Sequence, residues 1–479
     1  MDFSPEIPAG FALPDGTCYT ISMQTVLDHL RKHRDQHLSE LCQYLRFPSI
    51  SAHSERRQDI VDCAQWLAGH CMEIGLSSEI IQTQGHPVVI ARTPHRKGRR
   101  HFLVYGHYDV QPADPLEEWK SPPFEPRIEG RRLFARGSSD NKGQHFAHLK
   151  AVEAFLKTGT GLPCNLTFLI EGEEEVGSTS LSGFLQKHRS RLQCDAVVIS
   201  DTGMPGRNHP ALTSGLRGIA AFEITVHGPS KDLHSGIFGG SVDNPAMALA
   251  RILARLQDAD GRVAVPGFYD DVEPLSDVER KQWARLPLKD AQLRKLTGVP
   301  KLFGEAGFTP TEQRSARPTL EINGLTSGYQ GEGSKTIVPS WARAKITCRL
   351  VPGQRPKDIH RKIARHLKHL CPPTVRLDIT EGHSAEAYCI SPDNPLVQAS
   401  LRALRKAFEC EPMLMREGGS IPIVNEFKHQ LGADSLLLGL ALPEANAHSP
   451  NESFDLDCFE KGMAMSAWLW RELSGTTPV

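Results

Sequence analysis

The sequence predicts an α/β fold, a mainly parallel sheet flanked by helices, with a smaller α+β domain inserted into it. Three observations carry this expectation. Helix-periodic and strand-like runs alternate through the first 200 residues, as in a sheet covered by helices. The character changes near Leu216-Arg217-Gly218, after which strand, helix, strand and helix follow around a long polar stretch. The first kind of alternation then resumes near Ala385. The expected domains are a first segment at 1–214, an insertion at 215–384 and a second segment at 385–479. A chain of 479 residues exceeds what one hydrophobic core usually holds.

Taken in order, apolar residues at helical spacing mark 22–46 and 57–75, as in Ile60, Val61, Cys63, Ala64 and Leu67. Strand-like runs follow at 79–83, 88–92 and 102–106, then a helix at 143–157 and strands at 165–170 and 195–200. In the insertion, 219–228 alternates like a strand and precedes a helix at 244–257. Residues 258–318 are polar and charged. A strand at 342–350 and a helix at 356–369 come next. The last segment holds a helix at 394–408, a strand at 436–442 and a final helix from Phe459. No internal repeat or low-complexity segment interrupts this order.

Composition excludes several function classes. The net charge is −1, with acidic and basic residues interspersed, so nothing favours nucleic acid or an anionic membrane as a partner. The opening segment, Met1 to Pro8, has neither a basic nor a continuous apolar region and does not read as a signal peptide. The apolar run at 436–442 is far too short to span a bilayer. Eleven cysteines occur without a C-x-x-C pair, which suits reduced thiols and a cytoplasmic setting. No G-x-S-x-G elbow appears, and Ser334 between Gly333 and Lys335 breaks the resemblance of 328–336 to a phosphate loop.

The chemistry gathers at strand ends. Glu171-Gly172-Glu173-Glu174-Glu175 directly follows a buried-strand pattern, where unpaired carboxylates repel one another and are costly to desolvate. A solvated acidic turn is the bland alternative; a metal dication would remove the cost and add a catalytic role. Three further segments favour metal. In Gly106-His107-Tyr108-Asp109, period-2 geometry puts His107 and Asp109 on one face, so one can bind an ion while the other orients it. In Gly137-Ser138-Ser139-Asp140, small residues allow a carboxylate a close approach. Ser200-Asp201 ends another β-branched run. Open α/β sheets collect their active sites at such ends. His145 and His148 lack an H-E-x-x-H frame and read as structural or solvent-facing, and Arg31-Lys32-His33-Arg34 reads as a solvated helix face.

Taken together these segments resemble the M20 family of di-zinc metallopeptidases, closest to the carnosinase-like, non-specific dipeptidase branch. Supporting segments are Asp232-Leu233-His234-Ser235-Gly236, Lys335-Thr336-Ile337-Val338-Pro339, Arg349-Leu350-Val351-Pro352, Arg416-Glu417-Gly418-Gly419-Ser420 and Asn446-Ala447-His448-Ser449-Pro450-Asn451-Glu452, all in family order. The resemblance implies a zinc-exopeptidase-type catalytic domain and an inserted lid and dimerisation domain. It implies two Zn²⁺ per subunit, with Mn²⁺ or Co²⁺ as possible substitutes. Asp140 would bridge the ions, His107 and Asp201 completing one site and Glu175 and His448 the other. Glu174 would be the general base acting on a metal-bridging water, the extra acid Glu173 leaving a one-position shift open. Asp109 would fix the His107 tautomer. His234 would reach into the partner subunit's site and stabilise the oxyanion, implying a homodimer. Arg349, with Gly418, Gly419 and Ser420, would hold the substrate carboxylate.

The function so implied is hydrolysis of short peptides, as a dipeptidase or exopeptidase. Deacylation of N-acyl amino acids needs the same metals, base and clamp and is the alternative. A non-catalytic dimeric binding relative is a third possibility, against which Glu174, Asp140 and His234 are all present.

Overall fold

Residues 165–171 form a strand with every side chain buried: Leu166, Phe168, Leu169 and Ile170 are covered by the core, and the polar Asn165, Thr167 and Glu171 are hydrogen-bonded. This structure, a computed structural model, describes residues 17–286, 290–419 and 421–476. The expectations for Met1 to Pro8 and for Ser420 lie outside the described residues. The chain divides into two compact units, Met1–Val176 with Arg402–Cys410 and Leu440–Val479, and Gly177–Leu401 with Glu411–Gly439.

In the first unit the strands are β1 (Ser77–Ile81), β2 (Val88–Arg92), β3 (His101–His107), β4 (Arg127–Glu129), β5 (Arg132–Phe134) and β6 (Asn165–Glu171). Four of them lie in the order β1-β2-β6-β3. The β3–β6 pair is parallel, with His107 opposite Glu171, and the others are antiparallel. A small sheet joins β4 and β5 to the strand Ser453–Asp455. Helix Arg57–Glu73 packs on β1 and β2, and helix Lys142–Lys157 packs on β3. The latter is enclosed further by helices Thr17–Lys32, Arg34–Leu45 and Leu456–Ser474. The single helix expected at 22–46 is thus two, parted at His33, whose Nδ1 lies 2.9 Å from the His29 carbonyl.

Helix Lys142–Lys157 is buried at every position from Lys142 to Phe155, so its polar residues must find partners inside the protein. His145 meets the Tyr44 hydroxyl at 3.1 Å and Asn141 Oδ1 at 2.9 Å. His148 meets Ser466 Oγ at 2.7 Å. Lys150 donates to Glu153 and to His70, each at 2.8 Å, and pairs with Glu40. Of the two readings open for His145 and His148, the structural one holds.

In the second unit the strands are β7 (Ala196–Ile199), β8 (Ala211–Leu216), β9 (Gly218–His227), β10 (Leu233–His234), β11 (Thr319–Ser327), β12 (Ile337–Val338), β13 (Trp341–Leu350), β14 (Arg376–Ala385), β15 (Tyr388–Cys389), β16 (Met413–Glu417) and β17 (Asp434–Leu437). One set runs β7-β17-β8-β15, with β16 also on β8; β7–β17 and β8–β16 are parallel pairs. Another is a four-stranded antiparallel sheet, β11-β13-β9-β14. Along β13, Ala342, Ala344, Ile346, Cys348 and Leu350 face a core shared with helices Pro245–Leu253 and Pro356–Leu370. The second helix turns Ile359, Ile363 and Leu367 toward that core, the stripe its sequence spacing specifies. The boundaries expected at 214/215 and 384/385 lie within strands, the first inside β8 and the second at the end of β14.

Several elements escape the hydrophobic pattern. The polar stretch at 258–318 holds three short helices, Asp277–Trp283, Asp290–Thr297 and Pro310–Ala316. Two of these begin at capping boxes, Ser276 with Glu279 and Thr309 with Glu312. Strand β17 stops at Leu437 instead of running to 442. Gly439 crosses the backbone of Thr202 so closely that a Cβ there would lie 2.1 Å from its carbonyl oxygen.

The buried histidines of the first unit set an acid limit on stability. Burial pushes His148 and His37 down to about 3 and His70 to about 4, the Lys150 ammonium adding to the effect at His37 and His70. At pH 7 these rings are neutral whether the chain is folded or not. Below about 6.5 the unfolded chain binds protons that the folded chain refuses, so stability falls from there toward pH 4, by about 1.4 kcal/mol per pH unit for each ring. The urea midpoint should therefore drop between pH 7 and pH 5, and less steeply in His148→Gln. An unchanged slope in that variant would show that His148 titrates normally in the fold.

Candidate metal centre

Strand β3 delivers His107 fully buried at its end, beside the end of β6. The approach of helix Lys142–Lys157 to β3 requires Gly106, where a Cβ would come within 2.8 Å of the His145 Cβ. His107 Nδ1 lies 3.0 Å from the Asp109 carbonyl and 3.4 Å from its carboxylate, so Nδ1 carries the proton and Nε2 is left as the donor atom for a cation. Asp109, itself fully buried, also accepts from the backbone N–H groups of Glu174 at 3.3 Å and Glu175 at 3.1 Å. Asp109 therefore orients the imidazole through its carbonyl and the turn Glu174–Val176 through its carboxylate.

Asp140 stands in the loop between β5 and the buried helix. The loop folds around Glu452, whose buried carboxylate accepts from five donors: Arg136 Nη1, the N–H groups of Gly137, Ser139 and Asp140, and Ser139 Oγ, at 2.8–3.1 Å. Gly137 takes a φ of +81°, a conformation that other residues avoid. The two oxygens of Asp140 then face two imidazoles: Oδ1 is 3.3 Å from His107 Nε2 and Oδ2 is 2.9 Å from His448 Nε2. His448, in a loop with φ of +62°, also lies 3.4 Å from Glu175 Oε2. Asp140, Glu175 and His448 can each offer one ligand atom within 4.8 Å of the others.

The electrostatics call for a cation. Burial pushes Asp140 upward, yet the neighbouring imidazoles of His107 and His448 outweigh this and hold it well below the usual carboxylate range. The carboxylates of Asp140 and Glu175 raise His448 to about 10. Glu175 Oε1 is buried and meets no hydrogen-bond donor, while its Oε2 accepts from Gln111 at 2.7 Å. Carboxylate oxygens and imidazole nitrogen around an unsatisfied acceptor fit a first-row divalent ion.

Glu174 opens the turn and is partly exposed. Glu173 is buried over Gly85, where even a Cβ would meet its Oε1 at 1.6 Å. Asp201 follows β7 in the second unit. In that unit Glu417, unassigned by sequence, is partly buried and raised to about 7 by burial, with the Asp201 charge reinforcing the rise and the Gly203 N–H donating at 3.0 Å. Nothing in the segment Arg416-Glu417-Gly418 distinguishes a buried glutamate from a solvated one. Arg349, half-buried on β13, lines a cavity of about 320 Å³ with Arg217, Arg314 and Glu321. Gly418 offers its carbonyl to Arg217 Nε at 3.0 Å, and space around Gly419 is open. His234 is exposed.

The role of Glu452 can be measured through the metal. In Glu452→Gln an amide NH₂ would oppose donors that now share a carboxylate, and Arg136 would lose its buried partner. Metal affinity, read by chelator competition on protein whose circular dichroism is intact, should fall roughly 10- to 100-fold. Unchanged affinity would mean that the Asp140 loop holds its shape without this anchor.

Comparison with known proteins agrees with this geometry. The profile of peptidase family M20/M25/M40 matches residues 103–472. A Cys-Gly metallodipeptidase of Schizosaccharomyces pombe is 30% identical over 474 residues, spanning 96% of this chain and 100% of that protein. The crystal structure of human carnosine dipeptidase 1 matches with a TM-score of 0.80 at 27% identity, over 95% of this chain and 99% of that one. An M20 family metallo-carboxypeptidase, Sso-CP2 from Sulfolobus solfataricus, gives 0.80 at 33% identity, over 91% and 99%. The chain belongs to peptidase family M20/M25/M40 and is a metal-dependent hydrolase of short peptides.

Proposed function

We propose that this hydrolase is a cytoplasmic, homodimeric di-zinc dipeptidase acting on unblocked dipeptides. The observation that carries it is the double-facing carboxylate of Asp140, one oxygen toward His107 and the other toward His448. A carboxylate so placed suits a bridge between two ions, His107 and Asp201 holding one, Glu175 and His448 the other. Bound there, the ions would polarise the scissile carbonyl and acidify the attacking water. The O/N ligand set admits Mn²⁺ or Co²⁺ as well, selection following availability. The free cysteines among the described residues support the cytoplasmic setting.

The chain's own groups do the proton work. Glu174, free of the burial that commits Glu173 to the Gly85 loop, takes a proton from the water and returns it to the departing amine. Asp109 keeps His107 in its Nδ1–H tautomer and holds the Glu174 amide, so base and ligand move as one. Arg349 clamps the substrate carboxylate, with Gly418, Gly419 and Ser420 contributing donors. His234 stabilises the oxyanion from the partner subunit. Exposed apolar side chains near it in sequence, Ile237, Phe238 and Met247, support a protein partner there. The named activities of the relatives, on Cys-Gly and β-Ala-His, favour free dipeptides over N-acyl amino acids.

A panel of dipeptides and N-acetyl amino acids, assayed with Zn²⁺ or Mn²⁺, tests the substrate class; faster cleavage of the acylated compounds would overturn it. Glu174→Gln should lose about two to four orders of magnitude in turnover with metal content intact. Activity near wild type would move the base elsewhere.

For the dimer, His234→Ala and Glu174→Gln should each be nearly inactive alone. A purified heterodimer of the two should recover up to about half the wild-type rate, because one of its two centres has both groups intact. No recovery would place His234 within its own chain's site or in the fold alone.

A further inference from the structure

His234 closes β10, which runs antiparallel to β12 with Leu233 opposite Val338 and His234 opposite Ile337. The chain then turns into the short helix Ser235–Phe238, and the imidazole Nδ1 accepts a hydrogen bond from the Gly236 N–H at 2.9 Å. A backbone amide only donates, so Nδ1 must present its lone pair. In a neutral ring the proton then sits on Nε2. We infer that the Gly236 amide fixes His234 in the Nε2–H tautomer, making Gly236 and the strand around it positioning elements of the oxyanion donor. This rests on the assignment of His234 to oxyanion stabilisation in the partner's site.

The distinction matters because an imidazole has two faces. With the proton on Nδ1, Nε2 would point a lone pair at a developing negative charge and repel it. An exposed ring is not held by packing, so the hydrogen bond to Gly236 is what orients it. A Cβ at 236 would press on the ring itself, 2.9 Å from His234 Cε1 and 3.2 Å from Nδ1, and displace it from this hydrogen bond. The backbone beneath is tied down as well. Ser235 N–H donates to the Thr336 carbonyl at 3.0 Å. Asp232, two residues before the histidine, accepts from Ser340 N–H at 3.0 Å and Ser340 Oγ at 3.2 Å and pairs with Lys335 Nζ at 3.2 Å. Strand, turn and ring therefore form one platform carrying a single outward donor.

Histidine ¹⁵N spectra of the Zn²⁺-loaded full-length protein test the tautomer directly, with the His234 signals identified by their loss in His234→Gln. Expected is a protonated Nε2 and a lone-pair Nδ1; a protonated Nδ1, or two averaged nitrogens, overturns the inference. The second arm compares two substitutions. The glutamine amide reaches the place of Nε2 and the asparagine amide that of Nδ1, so His234→Gln should keep on the order of tenfold more kcat than His234→Asn at similar KM. Gly236→Ala should lower kcat while the dimer persists in gel filtration. Equal losses in the two His234 variants overturn an Nε2 donor. Full activity in both overturns instead the catalytic role of His234, and the spectra then still decide the tautomer.

Discussion

The buried carboxylate of Glu452 is the constraint around which the centre is organised. An ionised carboxyl removed from water is tolerated only when its lone pairs are filled, and here the loop from Arg136 to Asp140 wraps around it to fill them. The same donors that satisfy Glu452 fix the backbone from which Asp140 projects. Stability and ligand geometry are therefore one requirement. Removing one member of a buried pair such as Arg136–Glu452 costs about 3–5 kcal/mol, enough that the loop has no cheap alternative conformation.

Asp109 repeats this logic on the other side of the centre. It binds no substrate in the proposed mechanism, yet it orients His107 and the amides of Glu174 and Glu175. Behind both carboxylates lies helix Lys142–Lys157, buried along most of its length and brought against β3 by Gly106. A candidate ligand set spread over the ends of β3 and β6, one loop and a distant turn would need such rigid backing, because displacements well under an ångström alter coordination.

How much of this was legible in sequence follows from what each signal depends on. The strand and helix cores were readable where burial marks the sequence, as a mostly apolar run in β6, an alternation in β13 and a helical stripe in helix Pro356–Leu370. Strand β14 escaped because it is exposed along most of its length, and the helices within 258–318 because caps and tertiary contacts define them more than any apolar stripe. The metal-ligand types stood out as Asp and His at strand ends. The anchoring role of Glu452 did not, since a glutamate in a polar loop has the same letter whether solvated or enclosed. Glu417 was hidden for the same reason, its burial being a property of β16 and its neighbours. Gly236 appeared as part of a motif, but only the distance from its amide to the imidazole reveals a tautomer.

The cluster around Asp140 could in principle be an ion-pair network that merely supports the fold. Two features weigh against this. As a proton-only network it needs His448 to stay charged up to about 10, in a loop where the residue adopts left-handed φ. Even then Glu175 Oε1 remains buried without a donor, a cost of about 1–3 kcal/mol that a structural pairing would have no reason to keep. A divalent ion would resolve both at once, taking the place of the proton on His448 and giving Glu175 a partner. Proton and metal would then compete for one nitrogen, and metal binding at His448 would weaken as pH falls. Acid also protonates the unfolded chain at His37, His70 and His148, so weaker metal binding and lower fold stability would both follow a fall in pH, from independent causes.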